Sequence, residues 1–406
     1  MKLKNIFKIL IILTISSIVL SSFEAFTVGN DDILLLLNDR RFFLSFNGFL
    51  IILTTFYALY INKFSLNKKL IYLAVTLFIV LFISIIHGKT NSYILKAFIG
   101  PELRGLFLWF CMVLFFYIYF NQGNTVKKIK ELYSLIFVLL ILRSFYELLF
   151  VLPKSSFTDR YLFDAGHLIL AASIFTIYFT RFFLEKNKNF LLTSLILILI
   201  VYLGNRRIAM LIVFGGIVIT FIYFFIIHKK IFWIKIINVI FLLLFIMITY
   251  FYLDSQSFFD INKLNLKRNT SDYEHIYDIF DGFREISKNF FFGAGMGVEI
   301  PDRVLNHYSW DTPFHSPYIH TWVRLGFLGF LLYSSLLAYA LKSLLIKKYF
   351  LKNKIILLYS TALTLISYLI FQIAFPPFYL DPKQNLFIAL VFAVLFSLNS
   401  KKGNKL

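Results

Sequence analysis

Apolar runs of roughly 20 residues follow one another along almost the whole chain, from "IFKILIILTISSIVL" near the start to "LFIALVFAVLFSL" near the end. A helix of ~20 residues at a rise of ~1.5 Å per residue spans the ~30 Å hydrocarbon core of a bilayer. The runs therefore predict an all-α, polytopic integral membrane protein. The composition agrees, since 59% of the 406 residues are hydrophobic. "MKLKNIFKILIILTISSIVL" has the basic start and apolar body of a signal peptide, and with so many spans behind it we read it as an uncleaved first helix. The single cysteine, Cys111, lies in an apolar run and rules out an intrachain disulfide and a cysteine zinc cluster.

Twelve helices are expected, at 5–23, 42–61, 70–87, 103–120, 131–152, 163–183, 190–204, 207–228, 231–253, 317–341, 355–375 and 385–398. The only long gap, 254–316, is expected to be a large extracytoplasmic loop containing short helices. No internal repeat or flexible linker divides the chain, so 1–406 reads as a single integral-membrane domain. Cytoplasmic segments of membrane proteins carry excess lysine and arginine. With the N-terminus inside, every inner segment of the twelve-span scheme holds at least three such residues. They run from Lys2, Lys4 and Lys8 to Lys401, Lys402 and Lys405. Both termini are then cytoplasmic and the 254–316 loop lies outside. The net charge of +20 is mostly a topology signal, and no nucleic-acid partner is implied.

The arginines break this pattern. Of Arg40, Arg41, Arg104, Arg143, Arg160, Arg181, Arg206, Arg207, Arg268, Arg284, Arg303 and Arg324, only Arg181 is placed inside. Arginine grips phosphate or carboxylate with a planar fork and never loses its charge. Its enrichment on the outer side points to an anionic ligand there, against the alternative of snorkelling at helix ends.

Three clusters carry that reading. Residues 190–228 must hold two spans and a turn, which presses "GNRR" against the outer membrane surface. Charge at that depth is costly and usually has a partner or a job; a lipid-linked diphosphate presents its charge there, within reach of Arg206 and Arg207. In the loop, "TSDYEHIYDIFDGFREISKNF" reads as an amphipathic helix. Tyr273, Ile276, Tyr277, Phe280, Phe283 and Phe290 fall largely on one face, and Asp272, His275, Asp278, Arg284 and Lys288 on the other. Ser271 and Glu274 fit a capping box. The glycines of "FFGAGMG" let the backbone turn or approach something closely. In the third cluster, "TPFHSPYIHTWVRLGFLGF", His315 precedes a span, and His320 and Arg324, four apart, share one of its faces. Elsewhere, Arg143 and Glu147 have pairing distance in sequence, and Asp164 and His167 either line the cavity or cap a helix.

The strings "GNRRIAML", "NFFFGAGMG" and "HSPYIHTWVRLGFLG", in that order, resemble the O-antigen ligase and O-antigen polymerase superfamily over roughly 190–340. The usual pattern is a Ser-Arg-Gly-like turn, then Pro-Leu-x-Gly-x-Gly, then His-Asn-x-Tyr-Leu and a Gly-Leu-x-Gly span start. Here Asn205 stands where serine is usual and Ser316 where asparagine is usual. The resemblance implies a glycosyltransferase at the outer face of the bacterial cytoplasmic (inner) membrane. It would move an undecaprenyl-diphosphate-linked glycan onto a glycan or lipid A core acceptor, in O-antigen (lipopolysaccharide) or other surface-polysaccharide assembly, alongside a chain-length regulator. It implies diphosphate binding by Arg206 or Arg207 and by Arg284. His315 is expected to act as general base toward the acceptor hydroxyl. Arg324 joins the diphosphate-binding set, and His320 and Arg268 are additional candidates. Arginines can stabilise a diphosphate leaving group without a metal, and no cofactor is expected.

Polymerase is preferred to ligase, on the prior that such proteins are common in polysaccharide loci. A lipid-linked oligosaccharide flippase would show two similar halves, which the chain lacks. An enzyme using a carboxylate of the first outer loop, Asp31, Asp32 or Asp39, is a further alternative.

Overall fold

The structure is a computed structural model that describes residues 2–21, 40–63, 68–91, 99–151, 163–204, 207–227, 279–296, 316–345, 352–371 and 378–399. Within them the chain forms α1 (Lys2–Leu20), α2 (Arg40–Ile61), α3 (Lys68–Asn91), α4 (Ile99–Asn121) and α5 (Thr125–Tyr146). Next come α6 (Ala165–Glu185), α7 (Lys188–Leu203), α8 (Arg207–Ile227) and a loop helix α9 (279–288). The last three are α10 (Pro317–Leu345), α11 (Lys352–Phe371) and α12 (Pro382–Leu398).

Helices fill the expected positions, apart from 231–253, which lies outside the described residues. Among the described residues six helices are long and apolar enough to cross a membrane, and five more are apolar but shorter. The protein is thus a helical membrane protein. Hydrocarbon offers no partner for a backbone N–H or C=O, so a chain of this composition must satisfy both within helices. The starts of these helices are written locally. Asn124 accepts from Lys127 N at 3.1 Å, Asp164 from His167 N at 2.6 Å and Asn187 from Asn189 N at 3.0 Å. Asp381 accepts from Lys383 N at 2.8 Å and Gln384 N at 3.0 Å, with Pro382 opening α12. Asp164 therefore caps α6, one of the two roles its sequence position allowed.

α6 and α12 form the centre. Every residue from Ala165 to Arg181 and from Lys383 to Leu398 is buried. α3 lies at the edge, with Tyr72, Phe78 and Phe82 exposed, as expected of a surface facing lipid. The two ends of the bundle are distinct. At one end Lys8 pairs with Glu131 at 3.0 Å and Arg181 with Glu185 at 2.8 Å. At the other lie the last turns of α1 and α5, the first turns of α4, α6 and α12, and the loop helix.

Candidate functional site at the loop end of the bundle

α10 is not one continuous rod. Gly326 breaks it with φ 68° and ψ −168°, between two apolar stretches that read as a single run in the sequence. The strand of loop after α9 fills the break. Phe327 N donates to Phe290 O and Phe291 O, both at 3.1 Å, and Ala294 N donates to Val323 O at 2.6 Å. Trp322 Nε1 donates to Phe290 O at 3.1 Å. From α3, Ser84 Oγ donates to Arg324 O at 2.7 Å and accepts from Met296 N at 3.1 Å. The 289–296 loop is therefore stitched into the helix break by backbone bonds, which is the close approach expected of its glycines. Ile286 of α9 packs on Ile319 and Val323, extending the contact to the loop helix.

The first half of α10 carries two of the expected site residues. His320 is buried, its ring 6.2 Å from that of Tyr379. Arg324, one turn further on, is 2% exposed. A buried cation at this depth requires compensation and is seldom retained without use. Arg284, on α9, pairs with Asp281 at 3.1 Å and remains partly exposed. A cavity of about 40 Å³ lies beside this half-helix, lined by Leu106, Trp109, Thr321, Leu325, Tyr333 and Tyr379 among others. Its walls are almost wholly apolar.

Arg207 opens α8, and contacts through α11 bring this helix start to the same end. Ser367 Oγ donates to Ile212 O at 3.0 Å, and Tyr318 Oη donates to Leu369 O at 2.9 Å. Gly204, in the preceding turn, packs against Leu168 near the start of α6. His315, Arg206 and Arg268 lie outside the described residues, as do Ser271, Glu274 and the first half of the expected loop helix.

A second polar centre lies beneath the same end, and the sequence disclosed only half of it. Arg143 Nε pairs with Glu147 at 2.5 Å, as their spacing suggested, and Arg143 Nη1 donates to Leu20 O at 2.9 Å. Ser144 Oγ lies 3.0 Å from His167 Nε2. The unforeseen member is Lys383, 0% exposed, which donates to Asp164. Asn385 Nδ2 donates to Gly105 O at 2.8 Å and Tyr368 Oη to Gln384 Oε1 at 2.6 Å. Asp381 faces the Gly166 backbone so closely that a side chain there would collide with its carboxylate. Burial pushes the Asp381 carboxyl up from 3.8 to about 6, and the Asp164 charge adds to this. Asp164 is instead paired with the buried Lys383 ammonium and accepts from His167 N. The signal for this centre was "LDPKQN", an Asp-Pro helix start followed at once by a lysine at the mouth of an apolar run.

The architecture is that of an integral-membrane protein with a helix-break site at one end, close to buried cations. Residues 192–334 match the family model described as O-antigen ligase. That segment contains α8, the loop helix, the glycine turn and the break in α10, and the match supports the resemblance to the O-antigen ligase and polymerase superfamily over this part of the chain. No curated protein matches the chain.

Proposed function

We propose that this protein is a glycosyltransferase of the outer face of the bacterial cytoplasmic membrane. It moves an undecaprenyl-diphosphate-linked glycan onto an acceptor hydroxyl, and acts as a polymerase that joins one lipid-linked glycan to another. The observation that carries the reading is the coincidence of the family match with the helix break. The one segment that resembles O-antigen ligases is also the segment where a loop is stitched into a broken helix beside Arg324 and His320.

Breaking a sugar–diphosphate bond leaves negative charge on the departing diphosphate, and preorganised cations lower the barrier most when they are already in place. In this reading Arg206, Arg207, Arg284 and Arg324, with Arg268 as a further candidate, receive the diphosphate without a metal. His315 accepts the proton of the acceptor hydroxyl, with His320, five positions further along the sequence, as an additional candidate. Twelve crossings, with both termini inside, put this end of the bundle at the outer surface. A chain-length regulator is the expected protein partner.

The ligase reading is the runner-up, favoured by the description of the matching family. A deletion strain separates the two. Single repeat units left on the lipid and on the surface, with no long chains, identify the polymerase. Long chains accumulating on the lipid above a bare acceptor identify the ligase. Normal pools in both places would overturn the transferase reading. His315→Ala, scored in the same assay, should abolish transfer while the protein stays in the membrane; full activity would reject its role as base.

A further inference from the structure

The loop helix is inside out by the standard of a water-soluble protein. Its protein-facing side holds Asp281, 4% exposed, and Glu285, both buried, together with Ile286. Its outward side holds Phe280 at 65% and Phe283 at 55% exposure, and the following turn adds Phe291 at 66%. Phe290 and Phe292 are exposed too. Five exposed phenylalanines within the loop helix and the turn that follows it are unfavourable in water, because each forgoes the burial that an aromatic side chain gains on folding.

The height of this surface along the bundle identifies its solvent. The turn touches α3 through the ring of His87, whose centroid lies 6.0 Å from that of Phe292. Ser84, one turn earlier, holds Met296 N. At ~1.5 Å per residue, Ser84 and His87 stand ~24 Å and ~29 Å along α3 from Lys68. The second half of α10 gives an independent measure, since Phe327, bonded to Phe290 and Phe291, stands ~27 Å from Leu345. Both values fall at the far boundary of a ~30 Å hydrocarbon layer. The Phe292 ring touches α3 at His87, and on α3 Phe78, Phe82 and Ile86 are exposed too. The flank of α9 carries Arg284 and Lys288, half-exposed and paired inward with Asp281 and Glu285 at 3.1 Å and 2.9 Å. Aromatics toward the acyl chains with basic groups at their edge is the arrangement of a helix lying in the membrane interface.

We propose that the aromatic face formed by Phe280, Phe283 and Phe290–Phe292 is a membrane anchor, seated at the boundary of acyl chains and headgroups in the leaflet on the loop side. It fixes the height of the 289–296 turn, and with it the α10 break, relative to lipid headgroups. The occupant of this face is the bilayer itself. The anchor does not depend on which reaction the site performs.

The test uses the full-length protein in phospholipid vesicles. Cys111 is replaced by serine, and a nitroxide is attached in turn to Phe283→Cys, Phe291→Cys and, as a solvated control, Lys63→Cys. Collision with dissolved oxygen, which concentrates in hydrocarbon, is compared with collision with a water-soluble nickel chelate. The anchor predicts that oxygen access exceeds nickel access severalfold at positions 283 and 291 and that the order reverses at 63. Nickel access at 283 and 291 equal to that at 63 would overturn the proposal, because the face would then be in water. Low access to both reagents at 283 and 291 would also overturn it, since a protein surface would be covering the face.

Discussion

Gly293 and Gly326 meet backbone to backbone. A Cβ built on Gly293 would lie 2.6 Å from the Gly326 nitrogen and 2.6 Å from the Val323 carbonyl oxygen. Gly326 in turn holds φ 68°, and a side chain there would collide with the Phe291 carbonyl. The loop and the helix break thus depend on each other. Gly326→Ala should cost ~1–3 kcal/mol for a backbone conformation that is essentially restricted to glycine, and more once the turn is displaced. A lower melting temperature in detergent, with Ala294 and Phe327 amides exchanging faster, checks this. Because the two glycines share one contact, adding Gly293→Ala to Gly326→Ala should cost less than the sum of the single effects.

Arg324→Lys tests the buried cation. Lysine keeps the charge but not the planar fork. If Arg324 grips the diphosphate, transfer should fall ~10²–10³-fold, the usual effect of removing one preorganised donor, while the melting temperature changes little. A large fall in melting temperature with proportionate activity would make the residue structural.

The bundle was legible because apolar runs of membrane length admit little besides helices, and Arg143 with Glu147 was legible because a four-residue spacing fixes their meeting. Three features were not. Lys383 is 219 positions from Asp164, and no local pattern announces a partner that distant. The break at Gly326 sits in an unbroken apolar run, and it is the incoming loop carbonyls that require it. The spacing of Phe280 and Phe283 showed that they share a face, but not that the face turns outward, since in a membrane the rule that apolar groups go inside loses its force.

Asp381 predicts an unusual pH response. Its folded carboxyl titrates near 6 and its unfolded one near 3.8. Between these values the folded state binds the extra proton, so this group adds stability as pH falls through about 6. Asparagine caps helices nearly as well as aspartate and mimics the protonated form. Asp381→Asn should therefore melt higher than the parent at pH 7.5, and the two should converge near pH 5. A parent that melts higher at pH 7.5 would show that the charge of Asp381 is needed.

The Lys383–Asp164 pair gives the sharpest prediction, because both partners are removed from water at the junction of the two central helices. Removing one partner from a buried pair leaves an uncompensated charge and typically costs ~3–5 kcal/mol, whereas replacing both is often nearly neutral. Lys383→Met should therefore destabilise strongly, and so should Asp164→Asn. The double variant should recover much of the loss, giving a large coupling in a double-mutant cycle. Melting temperature in detergent reads the cycle, and activity in membranes reads its consequence. If the pair only joins α6 to α12, the double variant regains transfer together with stability. If it regains stability and stays inactive, the charges beneath the loop end serve the reaction, because a recovered fold would then lack only the field that the pair supplies.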